Sequence, residues 1–329
     1  MKQLSSINLT LSSENLADQI NEIHRNRSLS DYDKSRAFLE IGVATSDLQK
    51  SYFFGGRYAN PSRLLRPINR ATSTTFSIGK KVFTFGVEIE CLVNRYKMLD
   101  RARANNLRIA YESYNHRDNE VYYKFTTDAS IHADNEADRG NEIECVSPVL
   151  KFNKSGLDSL ANACKSLNEA GAKVNKSTGL HVHIGYKNMT NGQYINVFKN
   201  YQKLEGLIDS FMAPSRRDSQ WCRPISRFHY EYCTTIHDVQ RIMDYDRYHK
   251  VNPVSYDRHR TIEFRQHQGS TDYKKISKWV SFCAKLVAWS MDHVLTETVT
   301  DIDKVPFLNA SEKAFFKARI ANFARNNNE

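Results

Sequence analysis

Four short segments carry glutamate, histidine or arginine at every second position, with apolar residues between. GVEIEC at 86–91 sets Glu88 and Glu90 two apart, and NEIECV at 141–146 does the same with Glu142 and Glu144. GLHVHIG at 179–185 spaces His181 and His183, and TIEFRQH at 261–267 spaces Glu263, Arg265 and His267. Side chains two apart on a β-strand share a face, roughly 7 Å from one another. The opposite faces are apolar: Val87 and Ile89, Ile143 and Cys145, Leu180, Val182 and Ile184, Ile262 and Phe264. If the apolar faces share one core, the polar faces share one surface. That surface would gather five carboxylates, three imidazoles and one guanidinium.

Such a surface needs something positive on it. Two carboxylates ~7 Å apart repel by about 0.6 kcal/mol in water and about 2.4 kcal/mol at an effective dielectric of 20. A divalent cation answers several such pairs at once. Carboxylate oxygens with an occasional imidazole suit hard ions, Mg²⁺ or Mn²⁺. The guanidinium of Arg265 matches the geometry of a phosphate. Each motif alone has a plainer explanation: a solvated Glu-x-Glu face, a hydrogen-bonded histidine pair, an intrastrand Glu–Arg ion pair. The recurrence of one chemistry on one face in four segments is what points to a metal-plus-phosphate site.

The elements that must hold these residues follow from periodicity. Strands are expected at about 80–93, 121–131, 141–152, 179–186 and 260–269. Helices are expected from Ser12 or Ser13 to about Arg25, from Ser30, from Ser155 to a stop at Gly171, over 192–212, and over 274–296. Residues 213–226 read as an arginine-bearing loop, and 94–120 as a loop or insertion. Each strand has one apolar and one polar face, the antiparallel pattern with one face wet. The expected fold class is therefore α+β, a mainly antiparallel sheet backed by helices on one side.

The motifs, taken in chain order, resemble the amidoligases, relatives of glutamine synthetase and glutamate–cysteine ligase. The matching stretches are FGVEIE (85–90), DASI (128–131), ECVSPVL (144–150), GLHVHIG (179–185), PSRR and CRPI (214–217 and 222–225), DRYHKVNP (246–253) and RTIEFRQHQGS (260–270). The resemblance runs from about Val82 to Leu295. It implies a curved, glutamine synthetase-like catalytic sheet holding ATP and Mg²⁺ or Mn²⁺. It implies a ligase reaction in which a carboxylate takes the γ-phosphate of ATP and an amine displaces it, through an acyl phosphate, to form an amide or isopeptide bond. By matching position, Glu88, Glu90, Glu144 and Glu263 resemble metal ligands, and His181 or His183 the metal- or phosphate-contacting histidine. Arg265 resembles the phosphate-binding arginine of Glu-x-Arg. Arg216, Arg217, Arg247 and Arg260 fall where an arginine would hold phosphates or the substrate carboxylate. Asp128 and Glu144 are the candidates for the base that takes the amine's proton. The partners implied are a carboxylate and an amine, whether small molecule, peptide or protein. A homo-oligomer is compatible with the resemblance, because glutamine synthetase builds its sites between ring subunits.

Composition sets the frame. The chain has 329 residues, 40% hydrophobic and 11% aromatic, enough for a sizeable core, so wholesale disorder is excluded. Residues 1–82 hold 12 basic and 7 acidic residues, half of the formal charge of +10. No acid occurs between Asp47 and Glu88, while Lys50, Arg57, Arg63, Arg66, Arg70, Lys80 and Lys81 do. The division expected is N-terminal helices with a basic arm over 1–80 and a catalytic domain over 81–329. The arm suits a polyanion, nucleic acid included, or a solvated connector. Two other functions compete with the ligase: a two-metal phosphoesterase or nuclease, and a nucleic-acid-binding or assembly protein on an inactivated ligase fold. No run approaches the roughly 18 apolar residues of a membrane span, and the first residues lack the apolar core of a signal peptide, so a cytoplasmic protein is expected. The six cysteines form no CxxC pair and read as buried free thiols.

Overall fold

The computed structural model describes residues 2–4, 9–11, 16–41, 83–112 and 121–326. The basic arm falls on residues outside these, as do Ser12 and Ser13. The chain divides into two compact units, Met1–Ser77 and Ile78–Glu329.

In the first unit, strands β1 (Lys2–Leu4) and β2 (Leu9–Leu11) pair antiparallel. Helices α1 (Leu16–Arg25) and α2 (Asp31–Glu40) follow. Ile20 and Ile23, three apart on α1, are fully buried, as is Phe38 of α2. The Ser30 hydroxyl accepts from the Asp33 backbone N–H at 3.1 Å, the N-cap expected from the sequence.

The second unit is built on an eight-stranded sheet. Its strands are β3 (Thr84–Leu92), β4 (Ile109–Tyr111), β5 (Tyr123–Thr127), β6 (Glu142–Val146), β7 (Leu150–Lys151), β8 (Gly179–Gly185), β9 (Val251–Asn252) and β10 (Thr261–Gln268). The order across the sheet is β4-β5-β6-β3-β8-β10-β9, with β7 pairing β3. Every pairing is antiparallel except β4 with β5. The expected α+β class with a mainly antiparallel sheet is observed.

The helices are α3 (Arg95–Ala104), α4 (Lys154–Glu169), α5 (Asn191–Ser210), α6 (Ile236–Ile242), α7 (Ser255–His259), α8 (Tyr273–Ser290) and α9 (Ala310–Asn326). The stretch 94–120, expected as a loop, instead opens with α3, whose N-cap Asn94 accepts from the N–H groups of Tyr96 and Lys97, and continues into β4. A three-residue strand is too short to show a period of two, which is why alternation did not reveal it. Helix α4 starts earlier than expected, capped not by Ser155 but by Asn153, whose side chain accepts from the Gly156 N–H, and is followed by Gly171 at φ +79°, a left-handed position that glycine takes without strain.

The core lies where the apolar faces of the strands meet helices. Phe85, Val87, Ile89, Cys91, Cys145, Leu180, Val182, Ile184, Ile262 and Phe264 are all buried. Helix α8, with Ile276, Trp279, Val280, Cys283 and Leu286 buried, contacts β8, α4 and α5. All six cysteines are free and buried, and burial pushes the thiols of Cys91 and Cys164 up to about 12, so they are inert at neutral pH. Among the described residues no helix is long and apolar enough to cross a membrane.

One strand breaks the alternation. In the pairing of β10 with β8, Phe264 faces Val182 and His267 faces Leu180, so Arg265 and Gln266 together oppose His181. This β-bulge inserts one residue and inverts the parity of everything after it. His267, expected beside Glu263 and Arg265, turns to the core face and lies 5.9 Å from Trp279, ring to ring. Its Nδ1 donates to the Gln268 carbonyl at 2.6 Å. Burial first, then the charge of Arg319, brings its pKa down to about 3. The folded state therefore keeps this imidazole neutral, while the unfolded chain protonates it below its ordinary 6.5. Stability from this group is present above that value and is lost as pH falls toward 3. In urea unfolding, a His267→Gln variant should lose about 2.3 kcal/mol less than wild type between pH 6.5 and 4.5. Equal losses in the two proteins would show that His267 does not titrate this way.

Candidate active site

The polar face of the sheet floors a cavity of about 1260 Å³. Glu88, Glu90, Glu144, His181, His183, Glu263 and Arg265 line it, together with Asp128, Arg216, Arg247 and Arg260. Register explains the convergence. Antiparallel pairing sets Glu88 opposite His181, Glu90 opposite Glu144, and Glu263 opposite His183. Four chain segments thus deliver their polar faces to one patch.

Contacts within the patch are close. His181 Nδ1 lies 2.8 Å from Glu88 Oε2 and 3.9 Å from Glu263 Oε1, and its Nε2 lies 3.5 Å from Glu90 Oε1. His183 Nε2 lies 3.2 Å from Glu88 Oε1, and its Nδ1 lies 2.9 Å from the Thr261 hydroxyl. Arg265 Nη1 donates to Glu263 Oε1 at 2.5 Å, and Asn252 Nδ2 donates to Glu263 Oε2 at 2.6 Å. The Gly179 N–H donates to Glu90 Oε2 at 2.6 Å. A Cβ at 179 would crowd the site, 3.1 Å from Arg216 Nη2 and 3.3 Å from His181 Nε2.

The charges are unevenly compensated. Burial pushes the Glu88 carboxyl up, but hydrogen bonds to His181 and His183 outweigh it and hold the group well below the carboxylate range. Glu263 is brought to about 2, with burial opposed by Arg265 and His183. Glu144 goes the other way: burial, then repulsion from Glu88, Glu90 and Asp128, raises it well above its ordinary value. For His183, burial lowers the pKa but Glu263 and Glu88 win and raise it. Two sets of ligand atoms lie within 4.8 Å of one another: Glu88 with His181 and Glu263, and Glu90 with Glu144 and His181. Carboxylate oxygens and imidazole nitrogens at this spacing fit Mg²⁺ or Mn²⁺, and His181 belongs to both sets.

The arginines divide. Arg216 is 5% exposed and donates from Nη2 to the Arg265 carbonyl. The Nε atoms of Arg216, Arg247 and Arg265 are buried without an acceptor, which fits a site that takes an anion. Arg260 follows α7 at φ +54°, a left-handed conformation that is strained for arginine, and lies 5.5 Å over the Tyr256 ring. Arg217 does not join them. It lies outside the cavity lining, with its Nε donating to the Met212 carbonyl at 3.2 Å. Residues 214–216 form one 3-10 turn, and successive side chains on so tight a turn point different ways. Glu142 also lies outside the lining, since its register partner is Leu92 at the far end of β3.

The sequence reading did not single out Lys124, Asn252, Trp221 or Tyr248, all of which line the cavity. Lys124 had a signal, since it alternates with apolar Tyr123 and Phe125 on β5. Asn252 sits on a two-residue strand where no period can be read.

A second polar network backs the site from the helix side. Lys250, fully buried, places Nζ 2.8 Å from Glu205 Oε1 and 2.7 Å from Asp209 Oδ1 on α5. Gln266, on the core face with Phe264, donates to Asp209 and accepts from the Tyr201 hydroxyl. The Lys250 carbonyl accepts from the Arg265 N–H at 2.9 Å, and Glu205 accepts from the Ile225 N–H at 3.1 Å. The network ties α5 to the bulge that aims Arg265 and to the loop that follows Arg216.

Comparison with known proteins places these residues in a family. No curated protein matches the chain. Among solved structures, a bifunctional glutathione synthetase from Pasteurella multocida is similar at 12% identity and a TM-score of 0.36, over 78% of this chain and 42% of that one. The chain therefore spans less than half the length of that protein. A family profile described as "Putative amidoligase enzyme" matches residues 81–287, more than half of the chain and the whole stretch from β3 through most of α8. The chain belongs to this amidoligase family.

Proposed function

We propose that the protein is an ATP-dependent carboxylate–amine ligase that works through an acyl phosphate, on a sheet of the glutamine synthetase catalytic type. The observation that carries this reading is the meeting of a carboxylate–imidazole cluster and buried, acceptor-less arginine nitrogens in one cavity. Phosphoryl transfer asks a protein mainly for positioning and charge neutralisation, and this cavity offers residues for both.

In this reading Glu88, His181 and Glu263 hold one Mg²⁺ or Mn²⁺ ion, and Glu90, Glu144 and His181 a second. The ions supply Lewis-acid neutralisation of the phosphates. Arg265, Arg216 and Arg247 bind phosphate oxygens, and Arg260 at the mouth holds phosphate or the substrate carboxylate. His183 orients Glu88. A substrate carboxylate oxygen forms a bond to the γ-phosphorus as the bond to the β-bridging oxygen breaks, and ADP leaves. The amine nitrogen then attacks the acyl carbon, inorganic phosphate departs, and the amine's proton passes to a carboxylate. Asp128 and Glu144 are the two candidates for that base. Both line the cavity, and Asp128 Oδ1 already accepts from the Ser130 N–H and hydroxyl at 2.7 Å.

The test is ADP release from MgATP across pools of carboxylates, with hydroxylamine as the amine. Hydroxamate formed in step with ADP is the expected result, because hydroxylamine captures acyl phosphates. ADP release without hydroxamate in any pool would favour a phosphohydrolase, and absence of any nucleotide turnover would defeat the ligase reading.

A further inference from the structure

One wall of the cavity is aromatic rather than charged. Trp221 lines the cavity and is 40% exposed, an unusual amount for so large an apolar side chain, whereas Trp279 is 1% exposed. It stands in the loop after Arg216, edge to face with Tyr248, ring centroids 5.1 Å apart. Tyr248 also lines the cavity. Two guanidiniums lie by the Tyr248 ring: Arg247 at 5.2 Å and Arg265 at 5.7 Å from its centroid.

These contacts form an unbroken path. Trp221 touches Tyr248, Tyr248 touches Arg265, Arg265 bonds Glu263, and Glu263 lies 3.9 Å from His181 in the acid cluster. Along it the chemistry changes from a flat apolar face, through arginines with buried acceptor-less Nε atoms, to carboxylates and imidazoles that suit metal. A nucleoside polyphosphate has the same order: a flat base, then phosphates, then the metal-bound terminal group. No other Trp lines the cavity.

We infer that Trp221, with Tyr248 behind it, is the stacking platform for the purine base of the nucleotide, and so sets the direction in which the nucleotide lies. The phosphates run from Trp221 past Arg247, Arg216 and Arg265 to the acid cluster. The arm of the cavity on the β5 side, with Lys124, Asp128 and Ser130, is then left for the carboxylate and amine. The inference rests on the proposed nucleotide-dependent reaction but goes beyond it, since that reaction names no residue for the base. Stacking suits the role because a base presents a π face whatever its hydrogen-bonding edge, and Trp221 offers a large rigid surface at little cost in side-chain entropy.

The experiment separates base from phosphates. MgADP and magnesium tripolyphosphate, which has no base, are titrated calorimetrically into wild type, Trp221→Ala and Trp221→Phe. Trp221→Ala should weaken MgADP roughly tenfold or more, the range for loss of one base–aromatic stack, and leave tripolyphosphate unchanged. Trp221→Phe should recover most of the ADP affinity, which also shows that the loop still folds. Equal weakening of both ligands, or of neither, overturns the platform while leaving the ligase reading intact. Binding of neither ligand by wild type removes the nucleotide reading itself and the platform with it.

Discussion

An Arg265→Ala variant is expected to lose roughly 10²- to 10³-fold in turnover, the scale seen when a preorganised donor to transition-state charge is removed. It is also expected to lose about 3–5 kcal/mol of stability, because the deletion leaves a buried charge without its partner. Glu263 is 5% exposed and owes its low pKa chiefly to Arg265, working against burial. Glu88 and Glu90 also face the guanidinium. Without it the cluster is a set of like charges in a cleft. In the proposed reading, Mg²⁺ or Mn²⁺ binds the folded state only, so adding the ion should return part of the lost stability but little of the turnover. Arg265→Lys should fall between the two, keeping the charge but losing the planar fork. Denaturant unfolding with and without Mn²⁺, alongside steady-state rates, makes the measurement. An alanine variant within tenfold of wild type in turnover would remove Arg265 from the reacting phosphate.

The second large effect is on metal binding. His181 is shared by both candidate ligand sets, while His183 belongs to neither and touches only Glu88 among the cluster's carboxylates. Calorimetric titration with Mn²⁺ should therefore show at least ~100-fold weaker binding for His181→Ala, beyond the roughly 10- to 100-fold range for loss of an orienting partner. His183→Ala should stay within that range. Matching losses in the two variants would mean that the histidines act alike, against the assignment of His181 as the shared ligand.

These expectations rest on residues that were legible in the sequence to different degrees. Glu88 and Glu90, Glu144, and His181 and His183 could be placed on one surface without coordinates, because side-chain alternation is a local property of an extended chain. The same reading gave the helices α4, α5 and α8, whose apolar stripes recur at 3.6 residues, and the stop of α4 at Gly171, though it set the cap of α4 at Ser155 and not at Asn153. Strand β4 and the pair Val251–Asn252 were not legible. Segments of two or three residues hold no period, and what makes them strands is the neighbour they pair with.

The arginines show the same boundary at single-residue scale. Arg216 and Arg217 are chemically identical neighbours, and nothing local separates them. The 3-10 turn sends one beneath the Arg265 carbonyl and leaves the other on the Met212 carbonyl. Trp221 likewise reads from sequence as one aromatic in a loop. It becomes a cavity wall only because the stretch around Tyr248 is brought against it.

The sequence by itself determined that four polar-faced strands exist and which carboxylates and imidazoles they would present, since alternation requires only that the backbone be extended. Which strand lies beside which, and so that Glu90 meets Glu144 while His181 stands among three carboxylates, was decided by pairing register between segments far apart in the chain. The β10 bulge is the sharpest case. Glu263, Arg265 and His267 alternate without fault in the sequence, yet Arg265 and Gln266 both stand against His181, so Arg265 keeps to the cavity and His267 turns to Trp279. An extra residue in a ladder is defined only against its partner strand, and only the tertiary structure supplies that partner.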